Sequence, residues 1–186
     1  MELTVPKRSL AFLLAVTLAV AVIPGVAAAE SRAGGNVVIG PDEVISEDLE
    51  AYGGTIVVHG TVEGDLRAFA GNVLVDGEVT GDVEAAAGSV YITGRVGGTV
   101  SASAGSVEIG PDATIGGDLE AAAGSITVNG AVDGSVRAAA EEITIGPTAA
   151  IGGDLAYDGH LRQLEGSSVV GSVRVTDEPA GGPPFV

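Results

Sequence analysis

At 186 residues the chain is long enough for one domain with a substantial core, but with 30 glycines, 3% aromatics and no Trp that core lacks large side chains, which favours thin stacked layers over an ordinary globule. The formal net charge of −17 disfavours nucleic acid and anionic lipid as partners, because both require basic patches. Without cysteine there is neither a disulfide framework nor a thiol for lipid attachment.

Residues 1–29 read as a secretory signal peptide. Lys7 and Arg8 form a basic n-region, Leu10–Ile23 is the apolar run, Pro24-Gly25 breaks it, and Ala27-Ala28-Ala29 supplies the small residues of a cleavage site. The run is short for a bilayer span, although Val26–Ala29 would extend it into an uncleaved N-terminal anchor. Either fate implies an exported protein, extracytoplasmic, at the cell surface or membrane-associated. Glu2, Lys7 and Arg8 fall in this segment, so the remainder holds 24 acidic side chains against six arginines and no lysine. Such a surface keeps a protein soluble, and it also suits a halophilic setting in which salt screens the carboxylates from one another. ESRAGG, residues 30–35, reads as a short arm.

From residue 36 to 177 the chain divides into eight units of 17 or 19 residues: 36–54, 55–71, 72–88, 89–105, 106–124, 125–141, 142–160 and 161–177. One column through them holds Val37, Ile56, Val73, Val90, Val107, Ile126 and Ile143. Two residues on, a second holds Ile39, Val58, Val75, Ile92, Ile109, Val128, Ile145 and Leu164. A third runs Ile45, Val62, Val79, Val96, Ile115, Val132, Ile151, Val169, and a fourth Leu49, Leu66, Val83, Val100, Leu119, Val136, Leu155, Val173, followed two residues later by alanines from Ala51 to Ala138. Spacing of two marks strands with one buried face, so each unit should hold three short strands separated by glycine-rich corners. One unit cannot bury its own edge, and stacking closes the core. The fold class is all-β, a parallel β-helix of about eight coils. DLEAAA (118–123) should be strand despite its helical composition, because six residues between glycines cannot sustain an isolated helix. The two extra residues of the longer units sit in turns around Pro41, Pro111 and Pro147, outside the ladder. Arg162 falls where the last unit should place an aliphatic, marking a frayed end or a cap, and residues 178–186 read as a disordered Pro/Gly-rich tail.

The rhythm of ITVNGAVDGSVRAAAEEITIGPTAAIGGDL (126–155) and its IGPxAxIxGD turn resemble the bactofilins, polymer-forming cytoskeletal proteins. The resemblance covers about residues 36–177. It implies a right-handed, three-sided β-helix whose units join end to end into non-polar filaments without nucleotide, serving as scaffolds at the cell envelope. Typical members are cytosolic and less acidic, and this sequence departs from them in both respects. Left-handed hexapeptide acyltransferases are the competing β-helices, but 17-residue coils break their 18-residue register, and His59 and His160 stand on different corners, six coils apart.

Asp48, Asp65, Asp82, Thr99, Asp118, Ser135, Asp154 and Ser172 form a column after the second corner. Free exchange with Ser and Thr favours side chains that bond nearby N–H groups and close each corner over a ladder of cations. Val38, Val57, Leu74 and Tyr91, with Tyr52 and Phe69, point outward from the first coils and form a contact patch, unless the arm or the tail covers it. There is no nucleophile motif, phosphate loop or His cluster, so no catalytic, cofactor or metal residues are expected, and no small-molecule substrate. The reading is of a structural, self-assembling envelope scaffold that is not an enzyme. Its partners would be itself as a homopolymer, and membrane or envelope proteins. The alternative is a monomeric β-helical binding module engaging an envelope partner or cations through the apolar face or acidic corners.

Overall fold

A computed structural model describes residues 29–176. The signal segment (apart from Ala29) and the tail expected at 178–186 lie outside the described residues. Strand follows strand along the chain, long alternating with short, and no helix occurs among the described residues. The long strands are β1 (Glu30–Ile39), β3 (Leu49–Val58), β5 (Leu66–Val75), β7 (Val83–Ile92), β9 (Val100–Ile109), β11 (Leu119–Val128), β13 (Val136–Ile145), β15 (Leu155–Gln163) and β17 (Val173–Val175). They stack in chain order as one nine-stranded parallel sheet, and the two-residue strands from β2 (Val44–Ile45) to β16 (Ser168–Val169) stack as a second sheet of eight. At about 4.8 Å per layer, nine layers make a rod roughly 43 Å long.

The aliphatic columns read from the repeat are its interior. Ile39, Ile56, Val62, Leu66, Val79, Ile92, Ile115, Leu119, Val132 and Ile151 are fully buried, and the alternate alanines from Ala51 to Ala138 are at most 5% exposed. No polar or charged side chain is buried among the described residues. Hydrophobic stacking and parallel hydrogen bonding therefore stabilise the rod together, and DLEAAA lies within this stack, with Leu119–Ala123 in β11. The prolines occupy the turns between the sheets, each closed by a bond such as Ala113 N–H to the Gly110 carbonyl (3.1 Å). Ala113 and Ala149 in these turns are also buried, which the columns did not indicate.

The structure departs from the sequence expectations in three places. Two of the three expected strands are one: the ladder continues through the corner, with Gly53 beside Ala70 and then Thr55 beside Asn72, so the strand bends without ending. The bend brings coils so close that a Cβ on Gly54, Gly71, Gly88 or Gly105 would lie 2.7–2.8 Å from the preceding coil's carbonyl oxygen, which explains the glycine column. Second, residues 30–34 are no arm: they pair with Leu49–Gly53 and add half a coil to the eight expected. Third, the last coil is shifted by one residue. Glu141 stands at the glycine position, the pairing of β13 with β15 slips between Ala139 and Glu142, and Gly159 absorbs the slip at φ +124°. Leu161, not Arg162, therefore sits over Ile143; Arg162 lies over Thr144 on the outward side, and Gln163 takes the place expected for Leu164 over Ile145.

Candidate assembly surfaces

The polar column forms a ladder of its own. Asp65 N–H donates to Asp48 Oδ1 (3.0 Å), Asp82 N–H to Asp65 Oδ1 (2.9 Å), Thr99 N–H to Asp82 Oδ1 (2.7 Å), Ser135 N–H to Asp118 Oδ1 (2.7 Å) and Ser172 N–H to Asp154 Oδ1 (2.8 Å). Asp154 N–H reaches Ser135 Oγ at 3.3 Å. These side chains bond backbone N–H groups as expected, but each partner is the next coil and not the residue's own corner. The Ser172 N–H, and then the neighbouring Arg174, hold the Asp154 carboxyl below its ordinary range. No group of three or more potential metal ligands is gathered among the described residues.

The outward apolar residues fall into two rows. Val38, Val57, Leu74 and Tyr91 are successive partners in the ladder on one arm of the bent strand. Tyr52 and Phe69 are neighbours on the other arm, their rings stacked with centroids 5.3 Å apart and planes 11° from parallel. Val57 and Leu74 are half-buried; Val38, Tyr52, Phe69 and Tyr91 are exposed. The Tyr52 hydroxyl donates to Glu50, which pushes the phenol's pKa up. Beside the aromatic row runs a charged one, with Arg67 3.4 Å from Glu84 and Arg137 2.6 Å from Glu120. Of the two histidines, His59 contacts Asp76 at 2.7 Å on an exposed corner, and His160 lies beside Glu142 in the ladder of the penultimate long strand. They form no common site.

The two ends differ, and little in the sequence signalled it. At the N-terminal end the inward positions of β1 are Glu30, over Leu49, and Arg32, over Ala51. Arg32 Nε meets Glu30 at 2.7 Å and its Nη2 meets Glu43 at 2.6 Å, while the Gly40 N–H donates to the other oxygen of Glu43 at 3.0 Å. The Arg32 bond and then the Gly40 bond hold the Glu43 carboxyl low, and the two carboxylates raise the guanidinium. This cluster puts ion-paired groups over the end of the apolar column. At the C-terminal end the same columns finish in aliphatic groups: Val173 and Val175 are 45% and 52% exposed, and Leu161 and Val169 are only half-buried.

A family model described as Bactofilin, polymer-forming cytoskeletal, matches residues 76–174, just over half of the chain. The chain belongs to the bactofilin family. The match runs from the third of the eight units to the last, so the resemblance seen in the IGPxAxIxGD turns holds, and with it a structural family whose members polymerise. No curated protein and no solved structure matches the sequence. Of the six residues of the expected contact patch, Tyr91 alone lies inside the matched segment; Val38, Tyr52, Val57, Phe69 and Leu74 precede it.

Proposed function

We propose that this bactofilin is an exported scaffold of the cell envelope that polymerises without nucleotide through the ends of its β-helix. The observation that carries the reading is the aliphatic C-terminal end, where Val173 and Val175 extend the core columns into solvent and the edge of β15 beyond Tyr157 has no further strand beside it among the described residues. Open edges and apolar cross-sections drive pairing with a like surface. Export rests on the n-region, apolar run and Ala27-Ala28-Ala29 of the first 29 residues. The family's polymers supply the precedent for self-association. Substituting Val173→Asp and Val175→Asp together tests the reading. Both side chains are exposed, so the rod should keep its β circular dichroism, while sedimenting polymer falls at least about tenfold, since two unpaired carboxylates would be desolvated at each contact. Unchanged polymer in the folded variant contradicts end joining through this surface. A second reading, a monomeric binding module, draws on the exposed Tyr52–Phe69 stack, and a wild-type protein that never assembles would favour it.

A further inference from the structure

One arm of the bent strands carries two outward rows, and their residues have an order that a second copy can read. From the coil of β3 to that of β17 the charged row runs Glu50, Arg67, Glu84, Ser101, Glu120, Arg137, Ala156, Arg174. Three of the six arginines beyond residue 29 stand in this single row. In a strongly acidic molecule this is the face on which positive and negative charges alternate, so two rods can approach there without the repulsion met elsewhere. The neighbouring row runs Ala33, Tyr52, Phe69, Ala86, Ser103, Ala122, Ala139, Asp158: two aromatic rings stand proud at one end, and a shallow trough floored by Ser103, Ala122 and Ala139 follows.

We infer that this face pairs side by side with the same face of a second, antiparallel copy. A two-fold axis along the strand direction lays each row on its own counterpart in reverse order. With the β3 coil set against the partner's β13 coil, Glu50 meets an Arg137, Arg67 a Glu120 and Glu84 a Ser101. The same setting places Tyr52 over an Ala139 and Phe69 over an Ala122, so the aromatic ridge of each rod seats in the small-residue trough of the other. Two independent rows thus select one register. Sliding by one coil sets Arg67 against Arg137 and Glu84 against Glu120 in one direction and Glu50 against Glu120 in the other, which is costly when water is excluded. Sliding by two coils restores opposite charges, but in one direction it sets Phe69 over Asp158, and in the other it leaves only Arg67 against Glu84, half the opposite-charge pairs. The C-terminal end stays free for end joining. About eight coils of 4.8 Å by one arm of the strand cover very roughly 500 Å² per rod, below the area of a typical stable interface. The pairing is therefore weak for single rods and accumulates along filaments, as linked weak contacts do. At filament scale the inference rests on the end-joining reading, while the contact itself does not.

The test uses the absence of native cysteine. Full-length Glu50→Cys and Arg137→Cys chains are mixed at high concentration and oxidised mildly. The antiparallel register brings these positions together across two molecules, whereas like positions lie about five coils, roughly 24 Å, apart. The mixed disulfide dimer should exceed either like-with-like dimer at least about tenfold. Adding Ala122→Trp, an exposed site in the trough, should cut the mixed dimer about tenfold, while Ala122→Ser should leave it, with circular dichroism confirming the fold of each variant. A random distribution of disulfides, or a mixed dimer indifferent to Ala122→Trp, overturns the inference. Filaments without the mixed disulfide leave end joining intact and refute side pairing; the mixed disulfide without filaments does the reverse.

Discussion

Asp118 shows how a single side chain serves this fold. Its carboxylate accepts the Ser135 N–H of the next coil at 2.7 Å, at a corner where the two-residue strands have ended and the long strand has not yet begun. Asp118→Ala should lower stability by about 1–2 kcal/mol, the usual worth of a hydrogen bond to a charged acceptor plus an amide left less well paired, whereas Asp118→Asn, which keeps an oxygen there, should cost a few tenths; a denaturation midpoint series checks both. The sequence revealed the column and its chemistry, since Asp, Ser and Thr share an oxygen acceptor. It concealed the partner, because a bond to a residue 17 positions on leaves no local pattern. Glu43 makes a second residue-scale case. Its carboxyl binds a proton less readily in the folded chain than in the unfolded one, so its pairing with Arg32 stabilises the N-terminal coil above the ordinary carboxyl range and is lost as pH falls through its lowered folded value. The protection factors of the β1 amides, which correct for the slower intrinsic exchange at low pH, should fall on acidification through that range, and Glu43→Gln should remove most of this pH dependence while protection in β11 stays unaffected.

At the scale of the element, the bent ten-residue strand is the unit of construction. Its inward positions were legible because aliphatic residues repeat every two residues and again in every coil. Its length was not, because glycine at each corner reads as a break when the sequence is taken one coil at a time. What glycine provides there is close approach: Gly88 has the Gly71 carbonyl 2.7 Å from where its Cβ would stand. Gly88→Ala should therefore loosen the corner and destabilise the rod, and Ala102→Leu, which forces three extra carbons into a fully occupied interior row, should cost about 1–3 kcal/mol; calorimetry on both variants checks the pair. The slip between β13 and β15 belongs here too. Glu141 in the glycine column and Gly159 nearby were visible, but only the backbone shows that the slip turns Arg162 outward and Leu161 inward.

For the whole molecule, the contrast between its ends matters most. ESRAGG looked like an arm because polar residues fill the inward positions of β1, and the same residues, paired as Glu30, Arg32 and Glu43, are what finish the stack there. The C-terminal aliphatics carry no such cover among the described residues, so of the two ends it is this one whose apolar surface gains most from being joined. Charge opposes it: 24 acids against six arginines beyond residue 29 repel when rods approach, and raising salt from about 0.1 M to 1 M shortens the screening length from roughly 10 Å to 3 Å. Assembly should therefore strengthen with salt, and nucleotide should have no effect. Negative-stain microscopy with parallel sedimentation of the purified full chain, from low to molar salt and without nucleotide, tests the central claim most directly. Filaments of end-joined rods whose sedimenting mass grows with salt are the expected result; a monomer at every salt and protein concentration would contradict end-to-end polymerisation.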